Sequence, residues 1–237
     1  MVVATAYYSR CLNIPTRVRI VVVHGVPWRA CIDAHRAIED LKPDALLLCG
    51  GLHECYTLYH ISTPIPMLAG VNALGDDIYE IKALKLRDAY AAGRWICTHV
   101  HGSKLCIGGV DALNHSQNVD KLIASAPRDI DLAILLSYYP PRESVCSVIE
   151  LANRFRISIG IPQLDKRLRS VLTSVPLLLI SCHPRLRPLC IERERGYIHI
   201  SLGPTPLIAM EVEVLRGDVE LRDVRVVEAV SSSIYTR

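Results

Sequence analysis

The chain has 237 residues, of which 50% are hydrophobic and 22% are charged. This composition excludes an intrinsically disordered chain, and the length suffices for one large domain or two small ones. No apolar run approaches the roughly 18 residues that a membrane span needs. Residues 1–8 are apolar but lack the basic start and long apolar middle of a secretory signal. We therefore expect a globular protein of the cytoplasm.

The charge of the chain is small overall but unevenly distributed. A net charge of +3 does not by itself indicate nucleic-acid binding. Between Arg142 and Arg195, however, ten Arg or Lys residues stand against five Asp or Glu residues, and most of the cations are Arg. Guanidinium groups suit phosphate and carboxylate forks. This segment is either a solvated surface or a binding site for an acidic surface or a nucleic acid.

Nine cysteines are scattered along the chain without a CxxC pair. We expect most of them to serve as small core side chains. The high Arg content and the single Phe are typical of a thermophile, and intracellular proteins of hyperthermophiles do contain disulfides. Because the number is odd, at least one thiol is left over. The nine are Cys11, Cys31, Cys49, Cys55, Cys97, Cys106, Cys146, Cys182 and Cys190.

In chain order, residues 1–16 read as an N-terminal extension or edge strand, and residues 17–237 as a single domain. The domain begins with two apolar runs, Val18–Val23 and Ala45–Cys49, around a segment with helical spacing. Two short buried strands around one helix form a βαβ unit, the start of an α/β sheet. Ligands of such sheets bind beyond the carboxyl ends of the strands. His24 and Gly50-Gly51 fall at these ends.

The middle of the chain continues the alternation of strands and helices. After a loop over Leu52–Thr63, the pattern predicts a strand over Pro66–Val71 and a helix over Ile78–Ala92. A pair of strands around a His-Gly-Ser turn and a further helix follow. These are Arg94–Val100, Leu105–Gly109 and Asn114–Ala126.

The last part of the chain is predicted to close the fold with strands. Before that come a strongly apolar strand, two helices and another buried strand: Asp131–Tyr139, Ser144–Arg156, Gln163–Thr173 and Val175–Ser181. From Tyr197 on, apolar and polar residues alternate, and a Gly-Asp turn between Leu207–Val214 and Val219–Val227 indicates a hairpin. We expect one α/β domain made of two packed sheets.

The residues after the strands form a recognisable series. In order, they are His24-Gly25, Gly50-Gly51, Asn72-Ala73, Tyr138-Tyr139-Pro140-Pro141 and Cys182-His183-Pro184-Arg185. This order resembles the calcineurin-like metallophosphoesterases, whose series is D-x-H-G, G-D, G-N-[HN]-[DE], a strand ending in His with two prolines, and G-H-x-H. The likeness spans Arg17–Val227. It implies an α/β fold of two packed mixed β-sheets flanked by helices, a four-layer sandwich.

The resemblance also implies two metal ions, about 3.5–4 Å apart, that activate water for phosphoester hydrolysis. The ligand positions of the first ion are Val22, His24, Gly51 and Arg185, and those of the second are Gly51, Asn72, Tyr138 and His183. One of four ligands remains for the first ion and two of four for the second. Every carboxylate of the ligand set is missing, and Ala73 stands where a His would assist the leaving group. We expect no bound metal and no catalysis.

Two other groups near these positions have alternative interpretations. His183, Arg185 and Arg187 could bind a phosphate or another anion, or the arginines could form an ion pair with a nearby acid. Asp76 and Asp77 could supply replacement carboxylates, so that a site of His24, Asn72, Asp76 and His183 holds Mn, Fe or Zn. The simpler interpretation of the two aspartates is capping of the helix that starts at Ile78.

Two further groups carry weaker hypotheses. Cys97, His99, His101 and Cys106 are zinc ligands by type, although their spacing on one strand makes a tetrahedral arrangement awkward. Otherwise they are core cysteines and exposed histidines. The polar and aromatic loop that contains His53, Tyr56, Tyr59 and His60 is a candidate partner surface, or a stacking platform for a ribose or a base.

Three functions follow from these observations. The leading hypothesis is a catalytically inactive protein with a metallophosphoesterase fold that acts as a scaffold or as the binding subunit of a larger complex, with a protein partner and no cofactor. The first alternative is a divergent metal-dependent phosphoesterase or nucleotide-binding hydrolase that uses Asp76 or Asp77. The second is a module that binds RNA or a ribonucleoprotein through the Arg142–Arg195 surface.

Overall fold

The structure, a computed structural model, describes residues 15–62, 64–76, 78–150 and 155–227. Two large β-sheets contain most of the strands. The first has the order β13-β12-β1-β2-β3 and the second the order β10-β11-β9-β6-β5-β4, while β7 and β8 form a small separate pair. The strands are β1 (Thr16–Val23), β2 (Ala45–Leu48), β3 (Met67–Gly70), β4 (Trp95–Val100), β5 (Ser103–Val110), β6 (Leu132–Ser137), β7 (Val148–Glu150), β8 (Arg156–Ser158), β9 (Leu177–Ser181), β10 (Cys190–Glu194), β11 (Tyr197–Ser201), β12 (Leu207–Leu215) and β13 (Asp218–Val226).

The first sheet is built on β1, which is buried on both faces. Val18, Ile20 and Val22 point into the core between the two sheets, while Val21 and Val23 pack under the outer helices. β1 runs parallel to β2 and antiparallel to β12. Burying each of these aliphatic side chains contributes about 1.5–3 kcal/mol, so the apolar run that predicts the strand also holds it at the centre of the sheet.

Helices cover the outer face of each sheet. Ala34 and Ile38 of the first helix pack on the first sheet, and Leu164 and Leu168 of the fourth pack on the second. Their order is helix, sheet, sheet, helix, as in the predicted four-layer sandwich. The α-helices are α1 (Cys31–Leu41), α2 (Ile78–Leu86), α3 (His115–Ala124) and α4 (Leu164–Leu172).

Several predicted elements differ from the structure. Residues 144–156 do not form a helix where they are described: a 3-10 turn at Val145–Ser147 leads into β7, and β8 pairs with it. The Ser147 and Ser158 hydroxyls lie 2.5 Å apart and tie the two segments together. These side-chain bonds and the β-branched residues of β7 favour the extended conformation.

The helix predicted to reach Ala92 ends at Leu86, because Asp88 adopts a left-handed backbone with φ of 54°. The loop after Gly51 is not irregular but contains 3-10 turns over His53–His60. Residues 1–14, which include Cys11, lie outside the described residues, as do Thr63, Asp77 and part of the predicted helix over 144–156. Thr16, assigned to the extension, is the first residue of β1.

The prediction that most cysteines are merely core side chains is wrong. Eight of them form four disulfides: Cys31–Cys55, Cys49–Cys182, Cys97–Cys106 and Cys146–Cys190. Disulfides persist in oxidising compartments and in the intracellular proteins of hyperthermophiles. The assignment to a thermophile stays a prediction. No helix in the described ranges is long and apolar enough to cross a membrane.

Candidate functional site

The carboxyl ends of the two sheets meet at a shallow mouth, which we define as His24, Asp76, Tyr138, His183 and Arg185. His24 follows β1, Tyr138 follows β6, and His183 and Arg185 follow β9. The Cys49–Cys182 disulfide joins the end of β2 to the end of β9 across 133 residues, and both cysteines are fully buried. A covalent bond between the two sheets therefore forms the floor of the mouth.

His24 is buried and held by the backbone. Its Nδ1 atom lies 3.1 Å from the carbonyl oxygen of Cys49 and, in the neutral ring, donates a proton to it, so that Nε2 remains the basic nitrogen. Burial lowers the pKa of His24. The imidazole is therefore neutral at pH 7.

Gly50 and Gly51 leave no room for side chains. Both have left-handed backbones, with φ of 73° and 67°. A Cβ atom on Gly50 would overlap the backbone of Ala73 and lie 2.6 Å from Oδ2 of Asp76, and one on Gly51 would lie 3.2 Å from Cα of Gly25. Only glycine suits the conformation and the close approach at position 50, and a side chain at position 51 would be strained by its positive φ and its contact with Gly25. Position 51, which the resemblance makes the bridging position, therefore disfavours a carboxylate.

Asp76 folds back over these glycines. Its Oδ1 accepts a hydrogen bond of 2.8 Å from the Gly51 N–H, and its Oδ2 accepts one of 2.6 Å from the Ala73 N–H. The Asp76 carboxylate thus bonds backbone amides rather than standing free, and the interpretation of Asp76 and Asp77 as caps of the helix from Ile78 stays a prediction, because Asp77 lies outside the described residues. These bonds orient the carboxylate at the edge of the mouth, where its negative charge acts on the nearby His24.

Asn72 belongs to a neighbouring buried network. The hydroxyl of Tyr90 lies 3.2 Å from Oδ1 of Asn72 and 3.0 Å from Oδ2 of Asp111. Burial and the nearby Asp111 carboxylate raise the pKa of Tyr90. Asp111 also accepts a 2.7 Å bond from the Asn114 N–H. Asp111 and Tyr90 were missed by the sequence analysis, although Asp111 directly follows a strand of the second sheet, which is the signal that identified the other positions.

Aromatic rings and a cation form the other wall. The rings of Tyr138 and His183 are 5.2 Å apart, and Tyr139 contacts both. Burial, helped by the charge of Arg185, lowers the pKa of His183, while burial raises the pKa of Tyr138. Nδ1 of His183 accepts a 3.3 Å bond from the Arg185 N–H. The His183 imidazole and the Tyr138 hydroxyl are therefore neutral at pH 7.

Arg185 and Arg187 are exposed. Among the described residues, no carboxylate lies within ion-pair distance of either one, which disfavours the ion-pair interpretation. Other cations of the Arg-rich segment do have acidic neighbours, since Arg167 lies 2.6 Å from Asp120 and Arg169 lies 2.9 Å from Glu194. The nucleic-acid hypothesis for this segment stays a prediction.

The donors at the mouth do not fit a pair of divalent metal ions. Val22 is a buried core residue, and Gly51 offers only its backbone. The available donors are the neutral imidazoles of His24 and His183, the amide of Asn72, the protonated phenol of Tyr138 and the carboxylate of Asp76, which already bonds two backbone amides. These groups cannot offset the repulsion between two dications. Within the described ranges there are two groups of three metal-ligating side chains: Cys31, His35 and Cys55 lie outside the mouth, whereas His53 and Glu80 join Asp76 at its edge.

The zinc hypothesis for the β4–β5 hairpin is wrong. Cys97 and Cys106 are bonded to each other, so neither offers a thiolate. His101 instead contacts Asp44, with Nε2 and Oδ1 2.9 Å apart. His99 is exposed.

The polar and aromatic loop borders a small pocket beside the mouth. The pocket has a volume of about 200 Å³ and is lined by His53, Tyr56, Tyr59, His60, Tyr79, Glu80 and Ala83. Tyr59 is buried, whereas Tyr56 is exposed. The loop can therefore present an aromatic ring to a partner, and its role as a partner surface stays a prediction.

No protein-family model and no curated protein matches this sequence. Solved structures do match. TT1561 of Thermus thermophilus has a TM-score of 0.55 and 13% identity over 89% of this chain and 100% of its own. A protein described as a 5′-nucleotidase from Staphylococcus aureus has a TM-score of 0.52 and 10% identity.

The match to the Staphylococcus protein covers 89% of this chain, which spans about half (54%) of the length of that protein. GAP50, the anchor in the inner membrane complex of Plasmodium, has a TM-score of 0.52 and 13% identity over 88% of both chains. At these identities the likeness concerns the fold. The chain therefore shares the fold of these structures, two packed mixed β-sheets flanked by helices, as the resemblance to the calcineurin-like metallophosphoesterases implies.

Proposed function

We propose that this chain is a non-catalytic member of its fold class that acts as a scaffold or binding subunit for another protein. The observation that carries the proposal is the backbone at Gly50-Gly51. Position 51 carries no carboxylate to bridge two metal ions, its left-handed backbone and close neighbours disfavour one, and the nearby carboxylate of Asp76 is bonded to the amides of Gly51 and Ala73. GAP50 supports the idea that this fold can serve as an anchor.

Arg185 gives this binding role its chemistry. Its exposed guanidinium stands next to His183 at the mouth, without a carboxylate in ion-pair distance among the described residues. An arginine in the place of a metal ion can bind a phosphate or carboxylate group without hydrolysing a phosphoester. We infer that the partner presents such an anionic group to His183, Arg185 and Arg187, and that no cofactor takes part.

Elemental analysis and hydrolysis assays test the lack of catalysis. Protein purified without chelator is expected to hold less than one metal ion per chain and to leave bis-p-nitrophenyl phosphate intact in millimolar Mn²⁺. His183→Ala and His99→Ala form a matched pair, because the first is at the mouth and the second is exposed on β4. Two tightly held ions, or hydrolysis that is lost in His183→Ala and kept in His99→Ala, would overturn the proposal.

A second candidate function is a divergent metal-dependent phosphoesterase with a displaced metal site. It is favoured by His53, Asp76 and Glu80, whose ligand atoms lie within 4.8 Å of one another next to the mouth. One imidazole and two carboxylates suit Mn²⁺, Fe²⁺ or Zn²⁺. This candidate predicts one ion per chain that is lost in His53→Ala and kept in His60→Ala, a histidine of the same pocket outside the cluster.

A further inference from the structure

A second place in the molecule gathers metal-ligating atoms, and it lies outside the mouth. Cys31 is the first residue of α1, His35 follows one helical turn later, and Cys55 is in the 3-10 turns. Their ligand atoms all lie within 4.8 Å of one another. In the structure the two sulfurs are joined as a disulfide, so the cluster is closed to a metal ion in this oxidation state.

The arrangement around this disulfide already resembles a ligand sphere. Residues four apart on a helix project from the same face, so that Cys31 and His35 point at one spot. The Thr57 hydroxyl occupies that spot, 2.8 Å from Nε2 of His35 and 3.5 Å from Sγ of Cys31.

A nearby histidine distinguishes this disulfide from the others. Cys31 is partly exposed, unlike the fully buried Cys49 and Cys182, although Cys97 is exposed as well. In the part of the chain that the structure describes, it is the disulfide with a histidine nitrogen within ligand reach of both sulfurs. A small dithiol can therefore reach the bond, and a third ligand stands ready when it breaks.

We propose that reduction of the Cys31–Cys55 disulfide creates a site for one Zn²⁺ ion, held by the two cysteine sulfurs and His35. A dithiol reductant supplies two electrons and two protons, the S–S bond breaks, and the reductant becomes a disulfide. Zn²⁺ then displaces one proton from each thiol and binds two thiolates and one imidazole. Two sulfurs, one nitrogen and a water molecule complete the tetrahedral coordination that Zn²⁺ prefers.

The exchange keeps α1 and the 3-10 turns connected in both states. The Cα atoms of Cys31 and Cys55 are 5.3 Å apart, so a shared ion can replace the covalent bond with only a small movement of the backbone. A small-molecule disulfide can run the exchange in reverse: it takes up the two electrons and becomes a dithiol or two thiols, the Cys31–Cys55 bond reforms, and the ion is released. The segment is thus a site that binds Zn²⁺ under reducing conditions and releases it under oxidising ones.

Co²⁺ tests this proposal, because its thiolate complexes absorb in the near ultraviolet and its tetrahedral complexes in the visible. The full chain is titrated with Co²⁺ before and after reduction with a phosphine, and bound Co²⁺ is then displaced with Zn²⁺. We expect one thiolate-bound Co²⁺ per chain after reduction and none before. The signal should disappear in Cys31→Ser, and the affinity should fall at least tenfold in His35→Ala, which keeps the disulfide and can be checked for folding by circular dichroism.

Two matched variants make the test specific. His60→Ala removes a histidine outside the cluster, and the pair Cys97→Ser with Cys106→Ser removes another disulfide without a histidine in ligand reach. Both should bind Co²⁺ like the parent chain. A thiolate signal that survives in Cys31→Ser or is lost with Cys97 and Cys106 would overturn the proposal, as would equal affinity in His35→Ala. Because the readout is spectroscopic, it is independent of any hydrolytic activity.

Discussion

The mouth and the polar cluster around His199 contain similar side chains, but their surroundings give them different roles. His199 lies on β11 and is fully buried, with Nδ1 2.7 Å from the Ser144 hydroxyl and Nε2 2.8 Å from the Ser181 hydroxyl. The Ser144 hydroxyl also bonds Glu192. Both nitrogens of His199 and the hydroxyls of Ser144 and Ser181 have partners within the protein, so the cluster binds its own strands together.

The mouth is open where the His199 cluster is closed. His24 has one backbone partner, His183 is half-buried, and Arg185 is exposed. A histidine with two internal partners is a structural element, whereas an exposed cation beside a half-buried imidazole still has bonds to offer. The comparison teaches that residue type alone does not identify a binding site in this fold. A binding site is identified by polar atoms that have no partner within the protein and can therefore bond a ligand.

The disulfides near the two regions give the largest expected effect. In the chain-entropy description, replacing Cys49 and Cys182 by alanine costs about 5 kcal/mol, because the bond closes a loop across 133 residues. Replacing Cys146 and Cys190 beside the His199 cluster costs about 4 kcal/mol for a separation of 44 residues. Urea unfolding of the two double variants measures both values.

The Cys97–Cys106 disulfide is the control for that comparison. Its separation of nine residues gives about 3 kcal/mol. If all three double variants lose the same free energy of unfolding, loop length does not govern how much each disulfide stabilises the protein. The Cys49–Cys182 bond would then stabilise the fold no more than the other two.

The second prediction compares one histidine from each region. His199→Ala should lower the free energy of unfolding by about 3 kcal/mol, because it leaves a cavity and takes a partner from two buried hydroxyls. His183→Ala should cost less than about 1 kcal/mol, because a half-buried ring at the mouth leaves its space to water. Guanidinium unfolding at pH 7.5 distinguishes the two. A larger loss for His183→Ala would contradict the assignment of the roles.

The third prediction concerns pH. Burial lowers the pKa of both His199 and His24 below the ordinary 6.5. As the pH falls below 6.5, the unfolded chain takes up protons that the folded chain does not, so the free energy of unfolding decreases by up to about 1.4 kcal/mol per pH unit for each group. The decrease ends at the lower pKa of the folded state.

Unfolding measured between pH 7.5 and 5.5 reveals this slope before most carboxylates titrate. His199→Gln should remove the part of the slope that one histidine contributes. His99→Gln, on an exposed strand position, should leave it unchanged. If both variants keep the full slope, His199 takes up its proton in the folded chain as readily as in the unfolded one.

The sequence predicts the strand ends well, because the strands that carry the mouth are short apolar runs followed by Gly, Asn, Pro or His. β1, β2, β6 and β9 are buried on both faces, so their identity depends on local composition. β7 and β8 are different. They depend on the Ser147–Ser158 contact and on the disulfide from Cys146 to Cys190, which connect positions that a local pattern does not relate.

The sequence predicts which residues follow the strands, but it does not predict the bonds that they form. His24, Asn72 and His183 lie at the strand ends as expected, whereas the direction of Asp76 depends on a turn at Gly75, with φ of 98°, that returns its carboxylate to Gly51. The pairing of the cysteines could not be predicted either. Disulfide partners such as Cys49 and Cys182 are chosen by the packing of one sheet against the other.

The fourth prediction concerns Asp76→Asn, whose expected effect is small. The amide keeps one acceptor oxygen but turns an NH₂ group toward the N–H of Gly51 or Ala73, so the free energy of unfolding should fall by about 1 kcal/mol. Asp120→Asn, which removes an exposed partner of Arg167, should change it by less than about 0.5 kcal/mol. Thermal unfolding of both variants without metal and with Mn²⁺ measures the difference. The contradicting result is that Asp76→Asn leaves the free energy of unfolding unchanged but loses a stabilisation by Mn²⁺ that the parent chain shows. The carboxylate would then bind a cation rather than the backbone, which would favour the displaced metal site over the scaffold.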